Sequence, residues 1–203
     1  MAQGRYNTEE APFRSLRNPT VLMVDMLLAS IVIFFLGITY GYVARLGVEW
    51  TVFRLPKVFW LSTACILLVS MFLRHMLEAY DCDRVNVLKR KLTLAFLAAI
   101  SFSACQVIGW MQLRQQGLIL DTATSVSYVY ILTGLHILHV LLGLIFILVS
   151  ALRIHRHTST GVRALLYFSD PVRRDRLKLL THYWHTIDFL WVFLFLAFLF
   201  NHT

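Results

Sequence analysis

Acidic residues are scarce in this chain: 11 Asp and Glu stand against 19 Lys and Arg, and charged residues make up only 15% of the 203 positions. Cysteine is scarcer still, and Cys65, Cys82 and Cys105 form no CxxC pair. Two of the three fall inside apolar runs, so neither a disulfide framework nor a zinc site follows, and packing is their ordinary use. A Walker loop, a GxSxG turn and an HExxH motif are all missing, which leaves hydrolase and phosphate-binding chemistry without support. The halves show no visible repeat and no Gly/Pro-broken helices of the transporter kind. The N-terminus does not read as a signal peptide, because its apolar run starts late, is long and lacks a small-residue cleavage site. Nor is there a soluble basic domain, so the net charge of +8 does not point to nucleic acid.

What is present is hydrophobic length. Apolar residues account for 58% of the chain and the mean hydropathy is +0.66, the composition of a polytopic membrane protein. Crossing a bilayer takes roughly 20 largely apolar residues. Five stretches qualify: 21–43, 58–77, 92–113, 126–152 and 179–200. The expected fold is therefore all-α, a single bundle of five transmembrane helices over 21–203 behind a polar leader, 1–20. Pro12 and Pro19 argue against a continuous helix in that leader. Pro56 sits where a helix start tolerates it, and Asp25 is expected near the start of the first helix, where the dipole favours an anion. Lys and Arg are unevenly shared: three in the leader, five in Arg74–Lys91 and seven in Arg153–Lys178, against four on the opposite side. The positive-inside rule then places the N-terminus in the cytoplasm and the C-terminus outside.

Polar residues inside the spans form two rows. In the last span His182, His185 and Asp188 recur every three residues and Trp191 continues the row, which lays them along one side of a helix, drifting slowly. Ionisable groups at membrane depth are costly and should face the bundle interior or a polar partner. Asp188 and His185 can relieve one another, or find partners on another helix. In the fourth span Thr133, His136 and His139 recur at three, with Gly143 four further on. Gly134 and Gly143 there permit close helix approach, and Gln106 in the third span offers an interhelical hydrogen bond. Packing is the ordinary use of such groups; haem ligation by His136 or His139 with His185, or a proton relay, are the sharper ones. As a zinc or non-haem iron site the fourth span lacks a third ligand.

The runs SVSYVYILTGLHILHVLLGL (125–144) and YWHTIDFLWVFLF (183–195) together resemble subunit III of the haem–copper respiratory oxidases. That family carries a T-G-x-H-x-x-H-V-x-x-G helix and a closing W-H-x-x-D-x-x-W helix, onto which His136, His139, Gly143, His185, Asp188 and Trp191 fall. The likeness extends upstream through Gln106 and LPKVFWLSTACILLVS (55–70), and the five spans match the family's short bacterial form. Arg153 matches a family arginine associated with lipid headgroups. Two family carboxylates are replaced, by Ile31 after Ser30 and by Gly109.

The resemblance implies an accessory subunit with no cofactor of its own and no catalytic or metal-binding residues. It would sit in the bacterial cytoplasmic membrane beside oxidase subunits I and II, which carry the haem and copper, and hold phospholipids. His136, His139, His182, His185, Asp188 and Gln106 would serve as buried interhelical contacts. The competing classes are a stand-alone membrane cytochrome or quinol-binding protein using His136, His139 and His185, and the related accessory subunit of a nitric oxide reductase. With Ile31 and Gly109 in place of carboxylates, Asp188 held as an anion by His185 or another donor is expected to resist hydrophobic carbodiimides, which attack protonated carboxyls.

Overall fold

Backbone amides withdrawn from water must bond within their own segment, so each apolar run becomes a helix. The computed structural model describes residues 19–44, 55–120, 124–158, 168 and 171–202. These form five helices and no strand among the described residues: α1 (Pro19–Ala44), α2 (Val58–Asp81), α3 (Val85–Gln115), α4 (Thr124–His157) and α5 (Pro171–His202). All five are long and apolar enough to cross a membrane, and the chain is a multi-pass, all-α membrane protein. Most of the leader, and parts of the connections after α1, α3 and α4, lie outside the described residues.

Several helices outrun the expected spans, mostly at one end of the bundle. There α2 continues through Arg74–Asp81, α3 begins at Val85, α4 continues to His157 and α5 starts at Pro171. Apolar counting stops at the membrane edge, but a helix continues into the polar zone as long as its residues favour it. This basic end is tied by Arg174, whose Nε and Nη2 reach the two carboxylate oxygens of Asp81 at 2.6 and 2.8 Å. Proline at the first position of α1 and of α5 suits a helix start, where the missing N–H has no partner to lose.

Neighbours in the bundle follow from which faces are apolar on both sides. α2 and α3 pack as a close antiparallel hairpin, and α5 touches α2, α4 and α1. The most apolar window of α5 is 50% buried within the chain against 11% for α1, so α5 is the central helix and α1 the peripheral one. Bulky residues such as Met23, Ile33, Tyr40, Trp60 and Phe200 remain exposed, as expected of helix faces turned to lipid or to another chain.

Glycine placement differs from the expectation in one respect. A Cβ on Gly143 would stand 2.8 Å from Cζ2 of Trp184 and 3.0 Å from Cε1 of Tyr183, so this position does admit α5 against α4. Around Gly134 nothing among the described residues lies within 4 Å of where a Cβ would stand, so no helix of this bundle approaches closely there. Gly109 is the tightest of the described glycines, with Phe59 Cε1 only 2.3 Å from where its Cβ would be. The thiols of Cys65 and Cys105 meet across α2 and α3 as free cysteines, and Cys82 is exposed.

Candidate functional site

The row on α5 turns out to be a spiral. Steps of three residues fall about 60° short of a full helical turn, so the row cannot stay on one face. His182 and His185 stand on the outer surface, Asp188 is 3% exposed, and Trp191 is fully buried. His182 and His185 are therefore not interior residues, because only the far end of the spiral reaches the bundle centre.

Trp191 is the hub of that centre. Its indole N–H donates to Thr63 Oγ1 on α2 at 3.0 Å. Its ring lies 5.2 Å from those of both Phe102 and His136, and 6.0 Å from that of Phe59. His136 is wholly buried among Trp191, Phe102 and Phe35, and neither of its ring nitrogens has a hydrogen-bond partner among the described residues. His139, half-buried, uses Nδ1 on the Leu135 carbonyl of its own helix at 2.7 Å, while its backbone carbonyl accepts from Tyr183 OH at 2.8 Å. Gln106 is buried and donates to Ser62 Oγ on α2 at 3.1 Å, and Trp110 donates to Thr133 on α4. His185 sits on a different face of α5 from the indole that covers His136, so the geometry does not pair the two imidazoles.

A boxed histidine with unpaired nitrogens is an energetic burden. Replacing His136 with Phe keeps a ring and removes both polar atoms, so the variant is expected to unfold at the same or a higher temperature, with a gain in stability of about 1–3 kcal/mol at most. Thermal melts of the detergent-solubilised chain check this. A clear destabilisation would show that His136 holds a partner worth more than its burial costs.

Asp188 finds its partner on α2. Its Oδ2 accepts a hydrogen bond from the Ser70 hydroxyl, and the same Ser70 Oγ lies 2.6 Å from Nδ1 of His185. Oδ1 is buried with no hydrogen-bond partner among the described residues. His185 and Asp188 thus do not pair directly; Ser70 bridges them. Asp25 also departs from the expected role. It lies beyond the first turn of α1, which holds no acidic residue, and instead meets His182 Nε2 at 3.4 Å.

Sequence reasoning named neither Ser70 nor Ser62 and Thr63 as site residues. Small hydroxyls in a helix commonly bond back to their own backbone, as Ser62 and Thr63 both do to the Phe59 carbonyl, so they carry little signal. The available clue was spacing: Ser70 follows Thr63 by about two turns and so shares its side of α2.

Arg153 belongs to a second feature. An apolar groove of about 460 Å³ runs between Leu27 of α1, Phe146 of α4 and Leu180 of α5. Through Ser150, Arg153 and Arg176 it continues into a polar space of about 200 Å³ that adds His157 and Arg173. The groove is apolar along its length and cationic at the basic end.

No family model matches the chain. It is 26% identical over 192 residues to the probable cytochrome c oxidase subunit 3 of Mycobacterium tuberculosis, covering 89% of this chain and 88% of that protein. It is 25% identical over 134 residues to cytochrome c oxidase subunit 3 of Corynebacterium diphtheriae, 65% of this chain and 60% of the relative. With the cytochrome bo(3) ubiquinol oxidase subunit 3 of Pseudomonas putida it shares 28% over 120 residues, 59% of this chain and 53% of the relative. The chain thus spans less than two thirds of the length of the last two relatives.

Proposed function

We propose, from the premise that the chain belongs to the subunit III family of the haem–copper oxidases, that it serves as the cofactor-free accessory subunit of a proton-pumping terminal oxidase. The observation that carries this is the alignment over 89% of the chain with an oxidase subunit 3, since it extends over nearly the full length of both proteins. Oxygen reduction would take place in subunits I and II, and this subunit would pack beside subunit I and support sustained proton uptake. The proposed setting is the bacterial cytoplasmic membrane, with the N-terminus and the basic end in the cytoplasm. Whether cytochrome c or quinol is the electron donor would be decided by subunit II and would leave this role unchanged.

The proposed lipid role rests on the groove between α1, α4 and α5. Its apolar length suits acyl chains, and Arg153, Arg173 and Arg176 at its head suit a phosphate; each basic residue near an anionic headgroup contributes about 1 kcal/mol.

Purifying the tagged chain from its own membranes, and identifying what comes with it, tests the proposal. The expected partners are the haem- and copper-bearing subunits of an oxygen-consuming oxidase. Once separated from them, the chain is expected to show no Soret absorbance. A stoichiometric Soret band on the isolated chain would make it a cytochrome, and recovery with nitric oxide reductase subunits would place it in that complex instead.

A further inference from the structure

Ser70 lies near the middle of α2, and His185 and Asp188 near the middle of α5, so the junction they form stands deep in the spans. One side of the junction is a buried carboxyl whose one hydrogen-bond partner among the described residues is Ser70. The other side is an exposed imidazole, and between them is a hydroxyl within bonding reach of both. Ser70, Arg74 and Glu78 repeat every four residues along α2, and with His75 and His185 they line a groove of about 450 Å³ leading toward the basic end. The groove therefore carries polar groups from near the end of α2 to the hydroxyl that meets a carboxyl in the interior.

The geometry points to a proton relay in which Ser70 passes a proton between His185 and Asp188. Two hydrogen-bonded arrangements fit the same atoms. In the first, a His185 protonated on both nitrogens donates from Nδ1 to Ser70 Oγ, and Ser70 donates to the Asp188 carboxylate. In the second, Asp188 Oδ2 carries the proton and donates to Ser70, while Ser70 donates to the unprotonated Nδ1. Passing from the first to the second breaks the Nδ1–H bond, forms one Oγ–H bond, breaks the other and forms an Oδ2–H bond. No proton is left over and both hydrogen bonds survive. The net change is an imidazolium and a carboxylate becoming a neutral imidazole and a neutral acid.

A serine suits this step because its hydroxyl accepts and donates at once; an Asp–His contact without it would leave the buried carboxyl remote from the groove. The charged and titratable groups lining the groove beside His185 are Arg74, His75 and Glu78 of α2. Along α5 the preceding one is His182, which meets Asp25 of α1. Arg74 and Glu78 stand 3.9 Å apart, so their charges largely offset one another at the groove mouth. The relay adds a neutral acid to the expectation that Asp188 is held as an anion, since the donor that meets its carboxyl is the Ser70 hydroxyl. It is independent of the oxidase assignment, because it uses only side chains of this chain.

Infrared difference spectroscopy on the full chain in its native membrane tests the relay. The Asp188 acid is identified as the carboxyl band lost in Asp188→Asn. After a jump into heavy water that band is expected to shift at least tenfold more slowly in Ser70→Ala and in His185→Phe than in the native chain, and at the native rate in Ser70→Thr. A hydrophobic carbodiimide is expected to label Asp188, less as the pH rises. Absence of both band and label at every pH, or a Ser70→Ala chain exchanging as fast as native, would overturn the relay and leave a structural contact. If Ser70→Ala fails to accumulate, His185→Phe, which keeps the Ser70–Asp188 bond, decides the matter alone.

Discussion

Gly109→Glu is expected to abolish accumulation of the folded chain, although the family resemblance would place an acidic residue there. The ring of buried Phe59 would lie 2.3 Å from a Cβ at position 109, and that ring is in turn packed on Trp191, so it has nowhere to retreat. The Cβ alone brings an overpacking cost of about 1–3 kcal/mol, which Gly109→Ala should show as a lowered melting temperature. The carboxylate adds a buried ion at several kcal/mol. Double-mutant analysis checks the cause: with Phe59→Ala in the background, Gly109→Ala should cost distinctly less. An equal cost in both backgrounds would mean that the α2–α3 hairpin, rather than this ring, sets the limit.

Trp191→Ala should give the other large loss, about 3–5 kcal/mol as for other buried tryptophans. The indole fills the space between α2, α3 and α4, and it donates a hydrogen bond across the α2–α5 seam to Thr63. Trp191→Phe separates the two contributions, keeping most of the ring contacts while removing the N–H, so its cost should stay near 1 kcal/mol. Equilibrium unfolding in mixed micelles provides the measurement. If Trp191→Phe proved as damaging as Trp191→Ala, the hydrogen bond to Thr63, and not the filled volume, would be what holds α5 in place.

Gly109 is one of the two positions at which the chain departs from the pattern it resembles. A carboxylate at 109 and a phenylalanine at 59 compete for one space, so the packing of α2 on α3 accounts for the glycine. The other replaced position, Ile31, is partly buried and packs against the core, while Ser30 before it is exposed and bonds back to the Met26 carbonyl. Asp188 and Asp25 are thus the acidic groups of the spans away from the helix ends, and their partners came from α2 and α5 respectively.

Composition and periodicity alone determined that the chain is all-α, that it has five spans, and which end is basic. Those properties depend on the water-to-lipid cost of each side chain, which is local and adds along the chain. The rows on α4 and α5 were legible for the same reason, since spacing of three residues is a property of one helix. The absolute rotation of a helix is different: it is set by neighbours, and only the packed bundle decided that His182 and His185 face outward while Asp188 and Trp191 face in. The bridge at Ser70, the tight fit of Gly109 on Phe59 and the idle position of Gly134 likewise depend on pairs of residues far apart in the chain. A hydroxyl that can bond to its own backbone gives no sign in the sequence of the carboxyl it will meet, and a glycine gives none of the ring that needs its space.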